Sequence, residues 1–208
     1  MANPARVGIL LSGRGSNFLA LHGAIERGEI PAEIVLVASN LPDAPGLARA
    51  ANLGIPTFAL SHRGMGRREH DQAMVEALRK AEVEWVCLAG YMRLLSPGFV
   101  SAFAQRILNI HPSLLPAFPG LGAQAQAWEH GARVAGCTLH FVDEDLDSGP
   151  IIVQRSVDVE DGDTPESLAA RILKEEHLAY PEGLRRLLLE PWKIEGRRVV
   201  WGHEMPGA

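Results

Sequence analysis

The stretch Asn109-Ile110-His111-Pro112-Ser113-Leu114-Leu115-Pro116 holds the clearest chemistry in this chain. Alternation along an apolar strand over 106–110 projects residues 109 and 111 from the same face, so an amide and an imidazole emerge together where the strand ends. In open parallel sheets, ligand crevices lie at that end. Imidazole transfers protons near neutral pH, and an amide N–H stabilises an oxyanion. A lone histidine is more often structural than catalytic. Here the paired amide and the proline-fixed loop that follows set His111 apart.

Two further stretches could supply partners. The loop Asp143-Glu144-Asp145-Leu146-Asp147-Ser148-Gly149-Pro150 has alternating aspartates like a calcium loop. The glycine is displaced, however, and Gln154 stands where a bidentate glutamate is required, so no metal is expected. Most of these carboxylates read as a solvated acidic turn. One of them, beside Ser-Gly-Pro at the mouth of the next strand, is placed to approach His111 and favour its protonated form. The glycine turn Ser12-Gly13-Arg14-Gly15-Ser16-Asn17 lies where a first strand feeds a helix, so its backbone N–H groups can converge on an anion. A dinucleotide is disfavoured. Phe18 replaces the third fingerprint glycine, and Asn40 ends the second strand where a ribose-binding acid belongs. The turn also lacks the Lys-Ser/Thr ending of a P-loop, which leaves a single phosphate or a purely structural turn.

These residues need a scaffold, and the apolar runs describe one. Val7–Leu11, Ile34–Ala38, Thr57–Leu60, Trp85–Ala89 and Arg106–Ile110 read as strands. They alternate with helical stretches at 18–27, 44–53 and 67–81, and a helical or irregular stretch covers 92–103. Continuous apolar strands of this kind belong to a parallel sheet buried on both faces. A short helix is expected at 123–130, strands at 134–142 and 151–159, and a helix capped by Thr164 with Pro165 at its first position. Pro181 should kink that helix or begin a new one. Residues 193–201 read as an edge hairpin around Glu195-Gly196. With no repeat or linker, the 208 residues are read as one doubly wound, mostly parallel α/β domain.

Composition narrows the partners. With 20 Lys and Arg against 25 Asp and Glu, the net charge of −5 argues against nucleic acid. No apolar run approaches the ~20 residues that cross a bilayer, and the first is too short for a signal-peptide core. No membrane partner is expected, and the cytoplasm is the expected location. Cys87 and Cys137, far apart among strand-forming residues, read as buried free thiols in a reducing compartment.

Taken together, four ordered motifs resemble the glycinamide ribonucleotide formyltransferases, folate-dependent transferases of purine synthesis with a Rossmann-like formyltransferase fold. They are 12–17, Ala89-Gly90-Tyr91-Met92-Arg93-Leu94-Leu95-Ser96-Pro97, Asn109–Pro116 with Phe118-Pro119-Gly120, and Leu146-Asp147-Ser148-Gly149-Pro150. The resemblance covers most of the chain and implies a single formyltransferase domain over 1–208. It implies that the amine of glycinamide ribonucleotide attacks the formyl carbon of 10-formyltetrahydrofolate. Asn109 and His111 would stabilise the tetrahedral oxyanion, His111 would also transfer protons, and Asp147 would keep the imidazole cationic and organise water. Gly15, Ser16 and Asn17 would hold the ribonucleotide phosphate, and Glu176 would contact its ribose. Met92, Arg93, Leu95 and Val100 would line the folate pocket with backbone from 143–147, and either Arg67 or its neighbour Arg68 would join them. Met92, Leu95 and Val100 also read as ordinary core and Glu176 as a helix-surface charge, whereas Arg93, a cation among apolar residues, calls for a partner. A homodimer is left open.

The resemblance departs after Pro119-Gly120, where Gly122 and Gln124 replace two histidines common in the family, which weakens that loop's expected support of the acid or water. The nearest competing reading is formyltetrahydrofolate deformylase, which shares the trio but uses water as acceptor. It usually carries an N-terminal regulatory domain and a second histidine after the catalytic one, where this chain has Pro112. A methionyl-tRNA formyltransferase would need a further C-terminal domain and a basic surface. A noncatalytic phosphate-ligand binding module would leave Asn109, His111 and Asp147 unexplained as a set.

Overall fold

The computed structural model describes residues 3–202, which form two compact units, one up to Asn109 and one from Ile110. In the first unit the apolar run 7–11 forms the buried part of β1 (Ala5–Leu11). There follow α1 (Ser16–Glu26), β2 (Ala32–Ser39), α2 (Pro45–Asn52), β3 (Thr57–Ala59), α3 (Arg67–Lys80), β4 (Trp85–Leu88), α4 (Pro97–Ala102) and β5 (Ile107–His111), which leads the chain into the second unit. The strands lie in the order β3-β2-β1-β4-β5 and every pair is parallel. Val7, Ile9, Leu10, Leu11, Val86 and Cys87 have no measurable exposure or almost none, as strands covered on both faces require. Because crossovers between parallel strands are right-handed, an order that reverses at β1 puts the helices on both faces. It also opens a crevice beyond the carboxyl ends of β1 and β4.

Local sequence explains most of the helix boundaries. α3 buries Met74, Val75 and Leu78 at helical spacing, as its sequence pattern predicts. The stretch 92–103 is helical only from Pro97. Ser96 caps that helix by accepting from the Phe99 amide, and Pro97 occupies its first turn. Residues 90–96 are therefore loop.

The second unit contains α5 (Ala123–Glu129), β6 (Val134–Phe141), β7 (Ile151–Asp158), α6 (Pro165–Leu189), β8 (Trp192–Glu195) and β9 (Arg198–Trp201). β6 and β7 pair antiparallel from Val134 opposite Asp158 to His140 opposite Ile151. β9 joins β7 in parallel and pairs antiparallel with β8, turning at Gly196 with φ +60°. α6 opens on a reciprocal cap, in which Thr164 Oγ1 accepts from the Ser167 amide and Ser167 Oγ accepts from the Thr164 amide. Of the two outcomes expected at Pro181, the start of a new helix does not occur: one helix runs through it. Its buried stripe Leu168, Ile172, Ala179, Tyr180, Leu184 and Leu187 continues past the proline, and burying it offsets the ~3 kcal/mol that an interior proline costs. At Gly183 the helix approaches so closely that a Cβ would lie 2.2 Å from Leu139 Cδ2. Cys87 and Cys137 are buried free thiols. Burial, reinforced by the Glu176 charge, pushes Cys137 up to about 12. Among the described residues no helix is long and apolar enough to cross a membrane.

Candidate active site

His111 is the last residue of β5 and is buried. Asn109 stands two residues earlier on the same strand, half-buried, with Leu88 of β4 as its register partner. Period-two alternation therefore holds their side chains on one face.

The surroundings of His111 come from two loops of the second unit. Its Nε2 lies 2.8 Å from the Phe118 carbonyl oxygen, and its Nδ1 lies 3.3 Å from Asp147 Oδ2. Carbonyl and carboxylate are both acceptors, so a ring protonated on both nitrogens donates to each. Phe118 reaches this position with φ +52°, a conformation rare for a bulky side chain. It is held there by Ser113, whose Oγ donates to the Ala117 carbonyl at 2.5 Å and reaches the Phe118 carbonyl at 3.3 Å; the Leu115–Pro116 bond in the same loop is cis. Two strand side chains brace the same loop. Thr138 Oγ1 donates to the Ser113 carbonyl at 2.7 Å and accepts from the Leu115 amide at 3.0 Å, while Gln154 Nε2 donates to the Leu115 carbonyl at 2.9 Å.

Asp147 is separated from its acidic neighbours by the shape of its loop. Asp143 accepts from the Asp145 amide at 3.2 Å and from Ser148 Oγ at 3.0 Å, closing a turn that leaves Glu144 and Asp145 exposed. Asp147, with φ +49° and a side chain only 9% exposed, turns inward. Its Oδ2 also accepts from the Gly120 amide at 2.8 Å, which ties the acidic loop to the proline loop. Gly149 is there because no other residue fits: a Cβ would lie 1.9 Å from the Phe141 carbonyl oxygen.

A second imidazole completes the cluster and was not singled out in the sequence. His140 is buried, its Nδ1 is 2.8 Å from the Phe141 carbonyl oxygen, and its Nε2 is 3.7 Å from Asp147 Oδ1. Burial lowers its pKa and the nearby His111 adds to the effect, outweighing the Phe141 carbonyl, Asp147 and Asp143, which act in the other direction. His140 is therefore held toward its neutral form near pH 7. Alternation in β6 would have put it on the Thr138 face, but the signal was masked by the apolar residues around it.

The first unit holds most of the remaining candidates. Gly15, Ser16 and Asn17 form the start of α1. Gly15, at φ +72°, precedes the helix, and no side chain caps its first turn. A Cβ on Gly15 would crowd Gly46 Cα at 3.2 Å, and the Gly46 amide donates to the Gly13 carbonyl, so α2 buttresses the turn. Met92 is 66% exposed, and Leu95 and Val100 are half-buried, so none of the three is the core residue that its apolar character also suggested. Arg93 Nε is buried without a hydrogen-bond acceptor, while the guanidinium acts on the Tyr91 hydroxyl. The nearby Tyr91 hydroxyl is raised in pKa by burial and by Asp71, against the pull of Arg93. Arg67 and Arg68 are both exposed in the first turn of α3. In the second unit, Glu176 on α6 is 7% exposed, so it is a buried carboxylate rather than a helix-surface charge.

An open parallel α/β fold with an imidazole–carboxylate pair and an amide at a strand end holds the groups that transfer chemistry at a carbonyl carbon requires. Residues 5–184 match the formyl transferase family model. A phosphoribosylglycinamide formyltransferase of Bacillus subtilis is 42% identical over 181 residues, 86% of this chain and 93% of that protein. The solved structure of glycinamide ribonucleotide transformylase 1 from Symbiobacterium toebii superposes with a TM-score of 0.93 at 48% identity, covering 96% of this chain and 94% of that one. The trifunctional purine biosynthetic protein adenosine-3 of Drosophila pseudoobscura is 49% identical over 185 residues, 88% of this chain but only 14% of that protein. The chain thus spans about a seventh of that larger relative. It belongs to the formyl transferase family.

Proposed function

We propose that this protein transfers the formyl group of 10-formyltetrahydrofolate to the amine of glycinamide ribonucleotide, acting as a single formyltransferase domain over 1–208. The observation that carries this reading is the His111–Asp147 pair at 3.3 Å, on the strand that also presents Asn109, in a member of this family. The amine nitrogen attacks the formyl carbon, a C–N bond forms, and the carbonyl oxygen becomes an oxyanion. Asn109 donates to that oxyanion, and His111 joins it when its Nε2–H exchanges the Phe118 carbonyl for the oxyanion. Collapse breaks the bond to the folate nitrogen, which takes up a proton as the attacking amine loses one, and His111 is the residue that handles proton transfer. Asp147 places its carboxylate 3.3 Å from His111 Nδ1, where it orients the ring and stabilises the imidazolium that forms during proton transfer, and is itself fixed by the Gly120 amide.

Gly15, Ser16 and Asn17 hold the ribonucleotide phosphate at the uncapped N-terminus of α1, and Glu176 takes its ribose hydroxyls. Met92, Arg93, Leu95 and Val100 line the folate pocket, with Arg67 or Arg68 as a further cation. The exposure of Met92 suits a ligand-covered position. The protein works in the cytoplasm, as a monomer or a homodimer, on small molecules without a nucleic-acid or membrane partner.

The test is incubation of the purified protein with 10-formyltetrahydrofolate, with and without glycinamide ribonucleotide, following tetrahydrofolate and formate. Tetrahydrofolate release that needs the ribonucleotide and produces no formate is the expected result. Formate release without the ribonucleotide would make the protein a deformylase, and no release in either condition would make it a binding module.

A further inference from the structure

Ser12 is buried just past the end of β1, as the first residue of the glycine turn, and takes part in three hydrogen bonds that no ligand-binding role accounts for. Its amide donates to the Gly90 carbonyl at 3.0 Å. Its hydroxyl accepts from the Met92 amide at 2.8 Å and donates to Asn40 Oδ1 at 2.6 Å. Asn40 is 2% exposed and carries the chain onward: its Nδ2 lies 3.2 Å from His62 Nδ1. Asn40 is also the residue that stands where a dinucleotide-binding protein would carry an acid, so its presence is not explained by ribose recognition.

These bonds sit where the strand order reverses between β1 and β4, the position at which open α/β sheets gather their ligands. On one side of Ser12 is the turn 13–17, and on the other is the segment 90–93. Resting on the function proposed above, we infer that Ser12 is a positioning residue that ties the phosphate-binding turn to the folate-lining segment through a single hydroxyl. A serine suits this task because its hydroxyl donates and accepts at once. Met92 N–H, Ser12 Oγ–H and Asn40 Oδ1 then form one directed chain of hydrogen bonds. Removing the hydroxyl leaves the buried Asn40 Oδ1 without its donor and frees the Met92 amide from its acceptor, and both segments loosen together.

The test is steady-state kinetics of wild type, Ser12→Ala and Ser12→Thr against both substrates. Ser12→Ala should raise KM about tenfold for 10-formyltetrahydrofolate and for glycinamide ribonucleotide, with kcat at saturation reduced less than about threefold, as expected when an orphaned buried acceptor and a loosened segment weaken binding rather than chemistry. Ser12→Thr, which keeps the hydroxyl, should restore both constants. Unchanged KM values, a rise confined to one substrate, or a loss confined to kcat would each overturn the assignment. A second measurement needs no variant: glycinamide ribonucleotide alone should slow hydrogen exchange in wild-type peptides containing the Met92 amide, and unaltered exchange there would also overturn it. A wild type without ribonucleotide-dependent tetrahydrofolate release would instead defeat the underlying function, so the two failures are separable.

Discussion

Replacing Asp147 by asparagine separates what its charge does from what its shape does. Asparagine has nearly the same volume and, like aspartate, tolerates the left-handed backbone that φ +49° requires. Its amide oxygen can still accept from the Gly120 amide, now 2.8 Å from Oδ2, so the link between the two loops survives. What disappears is the negative charge 3.3 Å from His111 Nδ1, in a side chain 9% exposed. A hydrogen bond to a charged group contributes about 1.5–3 kcal/mol, and each 1.36 kcal/mol is tenfold in rate. The expected loss in kcat is therefore about 10- to 150-fold at neutral pH. With the loops still tied, Tm should stay within about 4 °C of wild type. The assay is ribonucleotide-dependent release of tetrahydrofolate at saturating substrates, with a thermal melt as the fold control. A folded Asp147→Asn enzyme with kcat within about threefold of wild type would refute the claim that this carboxylate acts through its charge.

Asn109→Ala should lower kcat by about 10²–10³, the usual cost of an oxyanion donor, with Tm nearly unchanged; near wild-type turnover would remove Asn109 from the chemistry. Gly149→Ala should fail to fold or melt far below wild type, because its Cβ would stand 1.9 Å from the Phe141 carbonyl oxygen; a normal melt would contradict the packing at the root of the acidic loop. Asp163 is held well below the usual aspartate range by Arg171 and Ser167 and by the Glu160 amide. A depressed folded pKa stabilises above the unfolded value of about 3.9 and loses that benefit as pH falls through the folded one. The Tm gap between wild type and Asp163→Asn should thus be constant between about pH 5 and 7 and close below about pH 4; a gap that widens in acid would reverse the argument. Cys137, pushed up to about 12 by burial and by Glu176, should resist iodoacetamide at pH 8 in the native protein and react only on unfolding.

What the sequence disclosed and what it withheld divide along the range of the interactions involved. Parallel strands, helix starts and the pairing of Asn109 with His111 depend on neighbours within a few residues, so apolar periodicity and cap chemistry are enough to find them. Pro181 shows the limit of local reasoning: the proline allows either a kink or a new helix, and burial of Tyr180 and Leu184 on either side keeps one helix. The immediate partners of His111 show it more sharply. Phe118 acts through its carbonyl, and a backbone group has no side-chain signature. His140 enters the site only because β6 and β7 pair so that the loop between them returns Asp147 toward it, a closure across several residues that no periodicity encodes. The same holds for Thr138 and Gln154, which lie on neighbouring strands and brace a loop they are distant from in sequence. Motif reading therefore names Asn109, His111 and Asp147, while Phe118, His140, Thr138 and Gln154, which surround and brace them, emerge only from the fold. It follows that variants at Thr138 and Gln154 should act on His111 through the loop and not through contact with either substrate.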